Sequence, residues 1–487
     1  MRNIFVLVLL SILFFACTDH RTPLEKSDFQ KLTSYQDMMN YIKELSDDSD
    51  LMGLDTLTLS NKGRVIPFIK VSTSGFGKDS NKIKVMIFAQ QHGNEQSGKE
   101  ALINIVKRIY ESKLTYVLGK IDLLLIPQMN PDGSELDERR NGNDADLNRD
   151  HLLLSQPETI ALHQLFKKYQ PQVTLDIHEY RPFSKSWEAF GFQKNWDEQF
   201  GTLTNINVDD EILNFQKQKF IPYIQNFLEE RDFTFNEYVV GGPPNLERMR
   251  YSTIDINDGR QSFGILNSMS FILEGLNGRT SVDNIERRTE GQIRAVLGFL
   301  EFVYNNKNEI RDVIRKSRED ALNLSKVAVR LEHIKGDEQK FLTLLNLKTD
   351  TDTTLLIENF HSKVISNLDV DKPKGYLIPK KIEKLKTWLD NHGISYEDNH
   401  FFYQADQYTI ENYVESIDEE LENQYPQVSS KRININPNDF YFVPTNQLHT
   451  NMLVIALEPQ SQIGLIQYDL FKEKLVEDKK YTILRIE

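Results

Sequence analysis

Ile83-Lys84-Val85-Met86-Ile87-Phe88-Ala89, followed within three residues by His92-Gly93-Asn94-Glu95, is the stretch that decides how this chain is read. The apolar run is short, continuous and rich in β-branched and large residues, which describes a strand buried on both faces. After it the apolar positions Ala101, Leu102, Ile105, Val106 and Ile109 recur at helical spacing. A strand that stops, turns and opens into a helix presents His92 and Glu95 at its carboxyl end. Imidazole nitrogen and carboxylate oxygen both suit Zn2+, and a catalytic zinc site takes three protein ligands with one position left for water. Two are here, so a third is expected elsewhere in the chain.

Working outward, strand-like and helical segments alternate. Val65 to Val71, Ile121 to Ile126, Val173 to Ile177 and Ser270 to Leu273 read as strands. Residues 209–231 and the face Ile293, Val296, Leu297, Leu300 and Val303 read as helices. The pattern predicts an α/β fold, a mixed and mostly parallel twisted sheet flanked by helices, with its site at the carboxyl ends of the strands. This unit is expected over residues 34–330. It opens at the capping signal Ser34 to Asp37 and closes with a charged helix over roughly 308–330. Residues 335–487 read as a smaller α/β unit. In it Tyr441 to Pro444 and Met452 to Leu457 are expected strands, and Tyr376 to Pro379 precedes a helix carrying Ile382, Leu385, Trp388 and Leu389 that stops at Gly393.

The net charge of −14 over 487 residues, without a dense Lys/Arg block past the start, argues against nucleic acid as a partner. Arg2 precedes the apolar run Ile4 to Phe15, too short for a comfortable membrane span but suited to a signal-peptide core. It ends at Phe14-Phe15-Ala16-Cys17, and Cys17 is the only cysteine. The stretch resembles a bacterial lipoprotein signal, which implies lipidation of Cys17, a membrane anchor and a place in the cell envelope, facing the periplasm or the surface. Residues 1–17 are then the signal and 18–33 a polar tether.

The third ligand candidate is His178, which ends Val173-Thr174-Leu175-Asp176-Ile177-His178. Alternation puts Asp176 on the same strand face, where a carboxylate can fix the tautomer of a ligating imidazole. Asn130-Pro131-Asp132-Gly133 reads as a turn. Arg139-Arg140-Asn141 and Asp146-Leu147-Asn148-Arg149 follow, then the strand ending in His178, then one ending in Glu274. The ordered set resembles the zinc carboxypeptidase family of metallopeptidases, the M14 type, over roughly residues 50–305, with Gly63-Arg64 at its opening. The resemblance implies a carboxypeptidase-like fold and one zinc ion held by His92, Glu95 and His178. It implies Glu274 as the catalytic glutamate and Arg139, favoured narrowly over Arg140, as the arginine that stabilises the oxyanion. Asn148 and Arg149 match the pair that grips a substrate's free carboxylate, and Asp146 the partner of a ligating histidine.

Some positions depart from the family pattern. Glu179 follows His178 where a small residue is common, which implies an extra negative charge near the metal. The mobile tyrosine has only Tyr251 as a candidate by spacing. Arg260 lies in the stretch that shapes the side-chain pocket, and either favours an acidic substrate side chain or is a surface residue. The spacing from Glu95 to His178 is short, implying trimmed loops and an open cleft. The tail, with Gly375 to Pro379, His392 to Ile394, Val443 to Gln447 and Leu457 to Pro459, is similar to the C-terminal region of some large bacterial secreted members. The expected activity is hydrolysis of the last peptide bond of peptides, cell-wall stem peptides among them. A zinc-dependent deacylase of N-acyl amino acids shares the motifs, and a non-catalytic peptide-binding lipoprotein is the alternative of another class.

Overall fold

The computed structural model describes residues 19–415 and 424–487; the apolar run Ile4 to Phe15 and Cys17 lie outside them. Eight strands form the main sheet: β1 (Met52–Leu59), β2 (Val65–Val71), β3 (Ile83–Ala89), β4 (Ile121–Ile126), β5 (Val173–Tyr180), β6 (Glu198–Gly201), β7 (Phe235–Glu237) and β8 (Met269–Leu276). Their spatial order is β1-β2-β4-β3-β5-β8-β6-β7. The central strands β4, β3, β5 and β8 run parallel, whereas β1, β2 and β6 join antiparallel to their inner neighbours. All six residues of β4 are buried, as are the first seven of β8, as expected for strands covered by helices on both faces. The expected mixed sheet flanked by helices is what forms.

Helices α1 (Pro23–Lys26), α2 (Tyr35–Asp47), α3 (Ser97–Tyr110), α4 (Pro157–Tyr169) and the 37-residue α5 (Ile285–Ala321) lie against this sheet or against each other. α5 ends earlier than its charge pattern predicts: residues 326–330, expected to be helical, belong to the strand Lys326–Ile334, paired antiparallel with Lys363–Asp371. Alternating burial of Val327, Val329 and Leu331 marks the change of period.

The segment read as a tether is folded from residue 20 onward. Thr22 and Glu25 form a reciprocal capping box, Leu24 is 1% exposed, and Lys107 of α3 reaches Glu25 Oε2 at 2.6 Å. Tyr41 donates its hydroxyl to the His20 carbonyl at 2.6 Å. The Thr33 hydroxyl donates to Glu100 at 2.6 Å, while Lys99 donates to the Thr33 carbonyl at 2.7 Å. Polar residues mislead here because their polar groups find partners on α2 and α3 rather than water.

The C-terminal residues build a second sheet in the order 397–398, 440–444, 375–379, 484–486, 404–415, 480–481, 476–477, with 424–434 paired to 404–415. The helix α6 (Glu383–His392) ends at Gly393, whose φ of +69° is the left-handed cap expected. Met452 to Leu457, expected as a strand, is instead the core of a helix, Thr450–Leu457, buried on every side. An apolar run enclosed all round carries no period that separates strand from helix. The two units share one continuous apolar cluster that contains Phe88, Ile177, Trp388 and Leu453. They also share strand pairs: Phe192–Gln193 joins Lys340–Asn346, and Met249–Tyr251 joins Phe360–His361.

If residues 20–33 are part of the fold, Leu24→Ala destabilises the protein by about 2–4 kcal/mol in a denaturant titration. A value indistinguishable from zero is the result a free tether requires.

Candidate functional site

The parallel pairing of β5 with β8 sets His178 directly opposite Glu274, and the antiparallel β6 sets Gln199 on the other side of Glu274. His92 and Glu95 reach the same place from the loop after β3, which pairs with β5 up to Ala89 and Ile177. That loop is held by a close approach of backbones. A Cβ on Gly93 would lie 2.1 Å from the carbonyl carbon of Gly133, so only glycine fits. The Gly93 N–H donates to the Arg139 carbonyl at 3.2 Å, and Asn130 Nδ2 donates to the Gln91 carbonyl at 3.1 Å. Asn130 to Gly133, read as a turn, opens a short helix, Pro131–Leu136. Asn130 caps it by accepting from the Gly133 N–H at 2.8 Å, and Pro131 occupies the first position, where no N–H is needed. Arg64 pairs with the buried Asp132 of the same motif at 2.6 Å.

Ligand atoms of His92, Glu95 and His178 lie within 4.8 Å of one another and form the one such group among the described residues, so they can hold a metal ion. Glu95 Oε1 is 2.8 Å from His92 Nδ1, and its Oε2 is 2.8 Å from His178 Nδ1. Each imidazole has a carboxylate behind it. His92 Nε2 is 3.0 Å from Asp146 Oδ1, and His178 Nε2 is 3.0 Å from Asp176 Oδ1. At His92, a proton held on Nε2 toward Asp146 leaves the Nδ1 lone pair facing the other ligands. Burial works against charge on His178, yet Asp176 and Glu95 hold its proton affinity well above the usual imidazole range. Burial likewise opposes charge on Glu95, but His92 and His178 bring its carboxyl below the usual carboxylate range. The centre therefore favours a cation. Two imidazoles and one carboxylate are the donor set of a catalytic zinc site with an open position, and the residues fit that ion.

His92 and Glu95 line a cavity of about 560 Å3, together with Arg139, Asn148, Arg149, Tyr238 and Glu274. Burial pushes the Glu274 carboxyl up to about 7, with Glu95 adding to the rise and His178 opposing it. Arg139 forks onto Asp146 through Nε and Nη2 at 3.0 and 2.9 Å, and its Nη1 reaches His92 Nδ1 at 3.2 Å. Arg140 instead turns outward and donates to the Asp144 carbonyl at 2.7 Å. Of the two neighbours, Arg139 is the one that lines the cavity. Asn148 Nδ2 lies 3.2 Å from His178 Nε2, and its Oδ1 accepts from the Gly259 N–H at 2.7 Å.

Three expectations need correction. Tyr251 does not line this cavity; it lies in the strand Met249–Tyr251, between Val239–Gly241 and Phe360–His361. Its ring meets Phe360 edge-on at 4.9 Å, with Lys217 3.5 Å from its centre. Tyr238 does line the cavity, and burial and Glu274 push its phenol upward; Tyr180 lines it too, with its hydroxyl donated to the Trp196 carbonyl at 2.6 Å. Counting back from Glu274 misses Tyr238 because the intervening loop is longer than the spacing assumed, and Tyr238 carries no local motif. Arg260 is not a surface residue. It is 1% exposed and its Nη2 donates to Asp258 at 3.1 Å and Ser252 at 2.5 Å, so it stands behind the pocket wall with its charge compensated. Glu179 adds no free charge at the ligands: alternation turns its side chain away from the His178 face, where Arg288 binds it at 2.6 Å and the Ser97 N–H at 3.1 Å.

Residues 38–195 match the zinc carboxypeptidase family, Peptidase_M14. Carboxypeptidase 2 of Trichophyton tonsurans is 23% identical over 451 residues, which cover 88% of this chain and 81% of that protein. Carboxypeptidase 2 of Trichophyton equinum is 24% identical, covering 85% and 81%. A metallo-carboxypeptidase from Burkholderia cenocepacia superposes with a TM-score of 0.45 at 18% identity, over 56% of this chain and 70% of that one.

The carboxylates behind the imidazoles yield a test that needs no substrate. Asp176→Asn lowers zinc affinity by about 10–100-fold in competition with a chromophoric chelator. Unchanged affinity would remove Asp176 from the metal centre.

Proposed function

We propose, on the premise that the chain belongs to the zinc carboxypeptidase family of peptide hydrolases, that it releases single residues from the free C-termini of peptides. The observation that carries this reading is the convergence of His92, Glu95 and His178 within 4.8 Å, with Glu274 paired directly opposite His178. Zinc held there supplies a Lewis acid that acidifies water and polarises a carbonyl. Glu274 accepts a proton from the attacking water on its carboxylate and returns it to the leaving amine. A carboxyl raised to about 7 by burial is matched to taking and giving a proton near neutral pH.

Arg139 stands ready to stabilise the oxygen of the scissile carbonyl as it gains charge, since Asp146 orients its guanidinium toward the ligands. Arg149 takes the substrate's terminal carboxylate, a pairing its planar fork makes in two parallel hydrogen bonds. Asp258 and Asp255 keep that guanidinium charged against the cost of its burial. Tyr238 closes the cavity wall next to Glu274. The reading extends to the envelope: Cys17, at the end of the apolar run, carries a lipid that anchors the enzyme to a membrane.

Glu274→Gln keeps its zinc and loses about 10^2- to 10^4-fold in kcat, measured with metal content on the same sample. Near-parental turnover would take Glu274 out of the reaction. Arg149→Ala raises KM for free-acid peptides by at least about tenfold, the scale of a lost charge-assisted pair, while leaving C-terminal amides as poor as before. Equal cleavage of acids and amides by the parent protein defeats the carboxypeptidase reading. Faster release from N-acyl amino acids than from peptides would make it a deacylase.

A further inference from the structure

The residues that carry the carboxylate grip continue into a stretch, 150–156, made of turns rather than helix or strand. Buried backbone groups in such a stretch need partners from elsewhere. For the carbonyls of Leu152 and Leu154 they come from the C-terminal unit. Trp388 Nε1 donates to the Leu152 carbonyl at 2.7 Å, and His392 Nε2 lies 2.9 Å from the same oxygen. Asn391 Nδ2 donates to the Leu154 carbonyl at 3.1 Å. On the other side, the Leu152 N–H donates to Asn257 Oδ1 at 2.7 Å, and Asn257 Nδ2 donates to the Arg149 carbonyl at 2.7 Å. Trp388 and His392 are 2% and 3% exposed, so water cannot replace them.

We propose that Trp388 and His392 are positioning residues for Arg149: α6 of the C-terminal unit fixes the backbone from which the carboxylate-binding guanidinium projects. The inference rests on the functional reading above and deepens it, because it gives the C-terminal unit a part in substrate recognition. The path is short and continuous. Leu152 is clamped from α6 through its carbonyl and from Asn257 through its N–H, and Asn257 holds Arg149. His392 acts as a neutral donor, since burial pushes its imidazole down to about 3. Released, the Leu152 carbonyl would be buried without its donors, and the turn would shift to find others. Arg149 would then meet the substrate carboxylate in more than one geometry, a loss felt in binding.

The test compares full-length zinc-loaded protein with Trp388→Phe, which keeps an aromatic side chain and removes the donor, His392→Leu, and His392→Gln, which keeps an amide donor at similar reach. Steady-state kinetics use one free-acid peptide and its C-terminal amide; zinc content, thermal midpoint and backbone hydrogen exchange over 148–154 are read on the same samples. Trp388→Phe with His392→Leu is expected to raise KM for the free acid by about tenfold or more with kcat within about threefold. The amide is unaffected, zinc is retained and exchange over 148–154 is faster, while His392→Gln stays close to the parent. Unchanged KM overturns the proposal, whatever the exchange shows. So does an equal fall in kcat for acid and amide together with lost zinc, the mark of a merely structural role. If the parent cleaves no peptide, the functional reading fails on its own, and unaltered exchange in the double variant would then show that α6 does not brace this loop either.

Discussion

Parallel pairing between β5 and β8 is the constraint on which the rest depends. Its register sets His178 against Glu274, and a slip of one residue would turn one of the two to the opposite sheet face. The same register puts Gly275 against Glu179, whose carboxylate is taken up by Arg288. Groups needed for chemistry and groups needed for structure are therefore sorted by the two faces of the same strand pair. β3 pairs on the other side of β5, which delivers the His92 loop to the same carboxyl end of the parallel strands.

Around that register the site is built from charges that oppose one another at close range. Asp146 and Asp176 stand behind the two imidazoles, and Arg139 joins Asp146 to the ligand side. Each buried carboxylate would be costly alone; each is stabilised by a hydrogen-bonded partner. The outcome is a cluster with a preference for a cation beside a glutamate whose proton affinity is raised. Asp176 is held in turn by Gln91 at 2.8 Å, and Gln91 Oε1 lies 2.7 Å from His151 Nε2. The orientation of His178 is thus tied to residues well outside the cavity. The C-terminal unit reaches the site in the same indirect way, through the carbonyl of Leu152.

Much of the site was legible in the chain itself because its elements are local. His92 and Glu95 sit in one loop and Asp176 and His178 on one strand, so their spacing carries information about their geometry, whereas the roles of Asp146, Asn148 and Arg149 follow from the family resemblance. Where a residue's place depends on a long loop, spacing carries little. Tyr251 was chosen by its distance from Glu274, and the fold brings Tyr238 to the cavity. Arg260 has Asp258 two residues away, but proximity in sequence does not say that the pair is buried or that Ser252 accepts from the same guanidinium. Of the arginine pair the sequence favours Arg139 only narrowly; the fold separates them, turning Arg139 onto Asp146 and His92 and Arg140 onto the Asp144 carbonyl.

What the sequence by itself determined is the order of buried strands, the ligand-bearing turns at their ends and the helix caps such as Gly393, all set by local periodicity and backbone chemistry. Only the tertiary structure decided which buried charges face each other and which are turned aside. It alone folded residues 20–33 onto α3, made Met452 to Leu457 a helix rather than a strand, and brought Trp388 and His392 to the loop behind Arg149. Those outcomes depend on partners distant in the chain, and a hydrogen bond or a packed face has no signature until both halves are in place.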